Sequence, residues 1–148
     1  MSLNYPKPGA NHVPSFQISG LPFVTRSAQN EITTTPLRIR IPYVTRFFVI
    51  GNNSAGDLRV GFTENGTKGA ETANYFTVKP FTSGALRYEI RCKELWFMAD
   101  SGQASGFELL AGLSSVESTQ FPVLSGTAHT YGFNSGSGVT TSTWPGVG

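Results

Sequence analysis

The chain has 148 residues, a formal net charge of +2 and 14% charged side chains. That length fits one domain of ordinary size, and so small a charge implies no broad electrostatic partner. Lone Cys92 excludes an internal disulfide framework and, in a strand-like stretch, reads as an inert half-buried thiol. No apolar run approaches the ~18 residues a membrane helix needs. The N-terminus lacks the basic-then-apolar order of a signal peptide, so synthesis in the cytoplasm is expected.

Residues 1–14 hold Pro6, Pro8, Gly9 and Pro14 with little apolar content. Such density of proline favours extended, unpaired backbone. With Lys7 as its only basic side chain, this N-terminal arm is expected to touch protein rather than nucleic acid. Phe16, Ile18 and Leu21-Pro22-Phe23-Val24 predict one or two strands, Pro22 placing the second at a sheet edge, a bulge or a break. Residues 27–36 read as a polar connection.

From Thr35 to Leu113 apolar runs recur with turn signals between them. Leu37, Ile39 and Ile41 alternate with Arg38 and Arg40; Leu58, Val60 and Phe62 repeat the pattern, as do Leu86, Tyr88 and Ile90 against Arg87 and Glu89. Period two places one face in a core and the other in water. Ile39, Val60, Phe62, Ile90, Phe97 and Leu109 are the expected core. Gly51–Gly56, Pro80–Gly84 and Asp100–Gly106 read as turns, and Glu64–Asn74 as the longest loop. Only Cys92, Lys93 and Glu94 join the runs Leu86–Arg91 and Leu95–Met98, without a tight-turn signal. That junction suits a strand leaving one sheet for the other. Eight or nine strands are expected between Ser15 and Leu113.

The thirty-one residues from Ser118 to the end carry no Asp, Glu, Lys or Arg, yet contain Phe121, Val123, Leu124, Tyr131, Phe133, Val139 and Trp144. Disordered tails are usually charged or purely polar. Widely spaced apolar anchors suit an extended segment that docks on other surfaces. The expected organisation is therefore an N-terminal arm (1–14), a β-sandwich (15–114) and an extended, uncharged Gly/Ser/Thr-rich tail (115–148).

The chemistry of known sites finds little to build on. The only histidines, His12 and His129, fall in the terminal segments, so neither a metal site inside the sandwich nor a Ser-His-Asp or Cys-His site is expected. Glu89 and Glu108 alternate with apolar neighbours and read as solvated outer-face residues rather than a carboxylate pair with Glu94. Two matches to the glycosylation sequon begin at Asn52 and Asn65 and are weak signals. Arg38, Arg40, Arg46 and Arg59, near Phe47 and Phe48, superficially resemble a single-strand-binding sheet. Phe47 and Phe48 lie in a continuous apolar run, however, so the arginines are expected on outer faces or in inter-subunit ion pairs. Trp96 and Met98 should face outward if Leu95 and Phe97 face the core. Arg38, Arg40, Arg46, Trp96, Met98, Phe121, Tyr131, Phe133 and Trp144 are the interface candidates. No catalytic, cofactor-binding or metal-binding residue is assigned.

Two packed sheets of about eight strands fit an all-β fold, an antiparallel β-sandwich of jelly-roll or immunoglobulin type. No Cys-Trp-Cys spacing favours the latter. Asp57-Leu-Arg-Val-Gly-Phe-Thr-Glu-Asn-Gly66, Asn74-Tyr-Phe76, Lys93-Glu-Leu-Trp96 and Gly106-Phe-Glu-Leu-Leu-Ala-Gly-Leu113 resemble the small single jelly-roll structural proteins of icosahedral viruses, including penton and minor capsid proteins of tailless DNA viruses. The resemblance covers about residues 45–113 and rests on strands and turns. It implies a single jelly roll with extended termini, a non-enzymatic capsid subunit located in the virion, and partners that are copies of itself, as in a pentamer, and other capsid proteins. The missing basic arm departs from small RNA-virus coat proteins, so direct nucleic-acid binding is not expected. The alternative is a ligand-binding β-sandwich, a carbohydrate- or receptor-binding head.

Overall fold

Period-two alternation builds eight strands into two antiparallel sheets. They are β1 (Leu21–Arg26), β2 (Leu37–Arg40), β3 (Tyr43–Asn52), β4 (Leu58–Gly61), β5 (Tyr75–Val78), β6 (Thr82–Tyr88), β7 (Glu94–Ala99) and β8 (Glu108–Glu117). This computed structural model describes residues 7–9, 11–17, 20–69, 73–100, 102–121, 129–135 and 138–144, and the side chains of 82–86 and 129–144 fall outside that description. Expectations about residues 1–6, Ile18, 122–128 and 145–148, and about the side chains of Leu86, Tyr131, Phe133 and Trp144, therefore lie outside the described residues.

One sheet has the order β1-β8-β3-β6 and the other β2-β7-β4-β5. Strand pairs are nested: β1 with β8, β2 with β7, β3 with β6, β4 with β5, all antiparallel. Successive pairs alternate between sheets. The β3–β8 and β4–β7 ladders then join two pairs within each sheet. Pro22 sits on edge strand β1, where its missing N–H leaves no interior ladder bond unmade.

The two inner faces meet in one core. Phe48, Ile50, Leu109 and Ala111 come from the first sheet, and Leu58, Val60, Leu95 and Phe97 from the second. Phe97 stacks on Phe107 with ring centroids 4.3 Å apart. Of the expected core, Val60, Phe97 and Leu109 are buried, while Ile39 and Phe62 are partly buried against the cluster. Ile90 is a correction, being 39% exposed. β6 ends at Tyr88, so the alternation stops before Ile90 and the chain turns toward the other sheet.

The junction between β6 and β7 does carry the chain from one sheet to the other. Thr45, at an irregularity in β3, secures the crossing: its Oγ1 donates to Ile90 O (2.7 Å) and accepts from Cys92 N (2.8 Å), and its own N–H donates to Cys92 O (2.9 Å). At the other end of the sandwich the connection 27–36 is pinned by Ile32, which is buried and bridges Ser105. Buried Asn52 donates to Gly56 O (2.7 Å) and Val78 O (3.1 Å), which holds the β3–β4 turn and commits the first sequon asparagine to the fold.

Three further segments differ from the pattern-based expectation. Phe16 lies in a short helix, α1 (Pro14–Gln17), not a strand. The expected loop after Glu64 begins with a one-turn helix, α2 (Glu64–Lys68). The expected Pro80–Gly84 turn is shorter, because β6 starts at Thr82. Helix α2 is locally encoded. Thr63 Oγ1 accepts from Gly66 N at its start, Lys68 pairs with Glu64 across one turn, and Gly69 ends it at φ 69°. One turn is too short to display a helical period, so alternation analysis passes over it.

Past Leu113 the sandwich continues. β8 runs on to Glu117, and a 3-10 turn spans Ser118–Gln120, so the domain extends beyond the expected boundary at 114. The tail then forms a hairpin, β9 (His129–Ser135) against β10 (Gly138–Trp144), as a two-stranded sheet of its own.

Candidate functional site

Side chains that alternate with the core residues form two outer faces, and charge-on-aromatic contacts recur on both. On the second sheet, Arg38 and Trp96 are register partners, with the guanidinium 5.6 Å from the ring centroid. Arg38 Nε donates to Glu94 Oε2 at 2.9 Å, and Trp96 Nε1 lies 3.4 Å from Glu94 Oε1. Arg59 lies 4.5 Å over Tyr75, donates to Asp100 Oδ1 at 3.0 Å through Nε, and reaches Lys68 O of α2 at 3.2 Å. A cation above an aromatic face is attracted by the ring quadrupole. Held between acid and ring, Arg38 and Arg59 are ordered surface features.

Trp96 is half-buried on this face, as expected of an outward residue. Met98 alternates to the same side but is only 8% exposed, which corrects its reading as an exposed contact. α2 explains the difference, since it packs on β4 and β7. The approach is so close that a Cβ on Gly61 would collide with Thr67 Oγ1. Arg40 is exposed at the end of β2, and Arg46 is half-buried on β3.

The outer face of the first sheet is different. Val24, Leu110, Val49 and Arg87 stand side by side across β1, β8, β3 and β6. Pro22, Gly112 and Phe47 form the next row, Phe47 lying over Gly112 with Arg87 3.9 Å from its ring. Arg26, Glu108 and Gly51 make the row on the other side. Three rows thus place an apolar centre between charges. Phe47 is half-buried on this outer face, whereas Phe48 is buried in the core. The unbroken apolar run they share serves both faces of β3.

A third feature lies where the termini meet the sandwich. Lys7 Nζ is 2.9 Å from Glu117 Oε1, and that hydrogen-bonded carboxylate holds the ammonium pKa above its ordinary value. Lys7, Pro8, Leu21, Tyr43, Glu117 and Gln120 border a cleft of about 270 Å³. Arg91 sits 3.9 Å from the Phe16 ring of α1. The described part of the N-terminal arm therefore touches protein, and the protein is its own sandwich. The tail leaves nearby through half-buried Phe121, whose carbonyl accepts from Lys93 Nζ at 3.0 Å.

Thiol and histidine chemistry have local explanations. Burial pushes the Cys92 thiol up to about 11, against the opposing hydrogen bond from Thr45, so it is protonated at neutral pH. His12 Nδ1 meets Ser15 Oγ at 3.2 Å within one turn at the start of α1. Among the described residues, no group of three His, Cys, Asp or Glu side chains is placed to hold a metal ion, and no helix is long and apolar enough to cross a membrane. Nor does any family model, curated protein or solved structure match the chain. The sheet-surface aromatics and the first sheet's apolar centre are the features with interaction chemistry. Single-residue inspection missed that centre, because only strand register brings Val24, Leu110 and Val49 together.

Proposed function

We propose that the chain is a structural subunit of an icosahedral viral capsid, a vertex (penton) or minor capsid protein of the virion. It would assemble with copies of itself and with other capsid proteins through its sandwich faces and termini. The observation that carries this reading is the strand order. Eight strands in nested pairs, divided as β1-β8-β3-β6 and β2-β7-β4-β5, are what a single jelly roll of two Greek keys requires, and capsid subunits, lectins and cupins use that architecture. Fold alone does not choose among them. A cupin-type metal site draws several histidines into the barrel, and this chain's two, His12 and His129, lie outside both four-stranded sheets. Both the apolar outer centre and the uncharged tail suit contacts with protein. Arg38 and Arg59 already face acids of their own chain, which argues against a genome-binding sheet.

Light scattering and electron microscopy over a range of protein concentrations test the proposal. A closed ring, with a mass near five times 15.9 kDa, is the expected result for a vertex protein. A chain that stays monomeric at every concentration and binds a glycan array would instead make it the ligand-binding head.

A further inference from the structure

Asn65 is the one asparagine of the chain that is followed by glycine. That pairing is the most prone to lose ammonia. The backbone nitrogen after an asparagine attacks the side-chain amide, and a glycine there brings no Cβ to hinder the approach or restrict the backbone. Asn65 is exposed. Asn52, which opens the other sequon match, is buried and spent on the β3–β4 turn.

Helix α2 places the pair in its first turn and holds the peptide group between them at both ends. Thr63 Oγ1 accepts from Gly66 N at 3.2 Å, so the attacking nitrogen is engaged. Asn65 O accepts from Gly69 N at 3.1 Å. Ring closure needs Asn65 Cγ within bonding distance of Gly66 N, and helical backbone angles keep the two apart. The pair can therefore react only when α2 opens. A one-turn helix has little stability of its own, so the cap and the packing of α2 set how often that happens.

We propose that Asn65 is a site of spontaneous deamidation, kept latent by the Thr63 cap, whose isoaspartyl product frees α2 from the second sheet. In the open segment Gly66 N gives up its proton to solvent and bonds to Asn65 Cγ. The Cγ–Nδ2 bond breaks, and Nδ2 takes up a proton and leaves as ammonia. The cyclic succinimide then adds a water. Opening at the side-chain carbonyl leaves aspartate; opening at the main-chain carbonyl leaves isoaspartate, with the chain rerouted through Cβ. Nothing is oxidised or reduced. Aspartate keeps the backbone and puts a negative charge in the first turn, where a helix favours it. Isoaspartate inserts an extra backbone carbon before Gly66 and spoils the register of both restraining bonds. Thr67 of α2 rests against Gly61, and Lys68 O holds Arg59 over Tyr75. Release of α2 thus loosens the outer face of the second sheet. None of this requires the chain to assemble.

Ageing the full-length protein in mildly alkaline buffer, followed by peptide mapping for aspartate and isoaspartate, tests the proposal. Asn65 should convert in the folded chain, but slower by about tenfold or more than in the same chain unfolded in guanidinium, because closure waits on local opening. Thr63→Val keeps the volume and removes the accepting oxygen; it should speed conversion about fivefold, the change that loss of a typical N-cap makes in a local equilibrium. Thr63→Ser, which keeps the oxygen, should stay near the parent rate. The isoaspartate-containing fraction, isolated by chromatography, should be cut by trypsin after Lys68 faster than the parent, whereas Asn65→Asp should not. The folded-against-unfolded comparison and the trypsin digestion use the parent sequence at Thr63, so they decide even where Thr63→Val fails to fold. Equal rates in folded and unfolded chains, an Asn65 left intact in the folded chain long after the unfolded one has converted, a folded Thr63→Val no faster than the parent, or an isoaspartyl form as resistant as the parent would each overturn the proposal.

Discussion

Cys92 shows how one position connects burial, hydrogen bonding and pH. Its thiol is fully buried beside Thr45, at the point where the chain crosses between sheets. Because the folded pKa is raised from 9.0 to about 11, the unfolded chain loses this proton first as pH rises. The unfolded state then binds fewer protons, so stability falls through that window and is fully retained below about pH 9. The difference corresponds to at most ~3 kcal/mol. Denaturant titrations of the parent chain and Cys92→Ala at pH 8 and pH 11 should show a larger loss in the parent. Equal losses in both would mean the thiol does not couple to folding. The same crossing explains Ile90. Its carbonyl is held by Thr45 while its side chain stays 39% exposed, because the strand has ended two residues earlier.

At the scale of elements, α2 and β4 depend on each other. A glycine inside a strand normally weakens it, yet Gly61 is what lets the helix rest on the sheet and cover the side of β7 that carries Met98. Gly61→Ala would lower the entropy of the unfolded chain, a gain of under ~1 kcal/mol. Collision with Thr67 should outweigh that gain and give a net loss of about 1–3 kcal/mol. Displacing α2 should also open Met98, so peroxide oxidation at Met98, followed by mass spectrometry, should be faster in the variant. An unchanged oxidation rate together with unchanged stability would show that the helix does not cover this face.

For the whole molecule, the proposed assembly role divides the work between sandwich and tail. The core is shared by the two four-stranded sheets, and the last described residue packed against them before the hairpin is Phe121, tied by Lys93. A chain ending at Phe121 should therefore unfold at nearly the same temperature as the full chain, while its assembly is lost or sharply weakened. Calorimetry and light scattering on both forms check the two halves of this prediction. A truncated chain that assembles as well as the full one would reduce the tail to a linker.

Much of this architecture was legible in the sequence because alternation is a local signal. Leu58-Arg59-Val60 and Phe107-Glu108-Leu109 declare an inner and an outer face wherever the strands end up. Turn residues at Gly51–Gly56 punctuate them, Pro22 points to an edge, and the uncharged composition marks the tail as distinct. Helix α2 was also encoded, in Thr63, Glu64, Lys68 and Gly69, but one turn gives no period to detect. Tertiary structure alone decided the rest. Pairing β1 with β8 joins residues almost ninety positions apart, and no local preference specifies a partner at that distance. Val24, Leu110 and Val49 become one surface only through that pairing, and Met98, at an outward-alternating position, is buried on a strand that a helix from a different part of the chain packs against. Sequence determines which face of a strand turns outward; the packing of the other strands and helices determines whether that face meets water, a helix or another molecule.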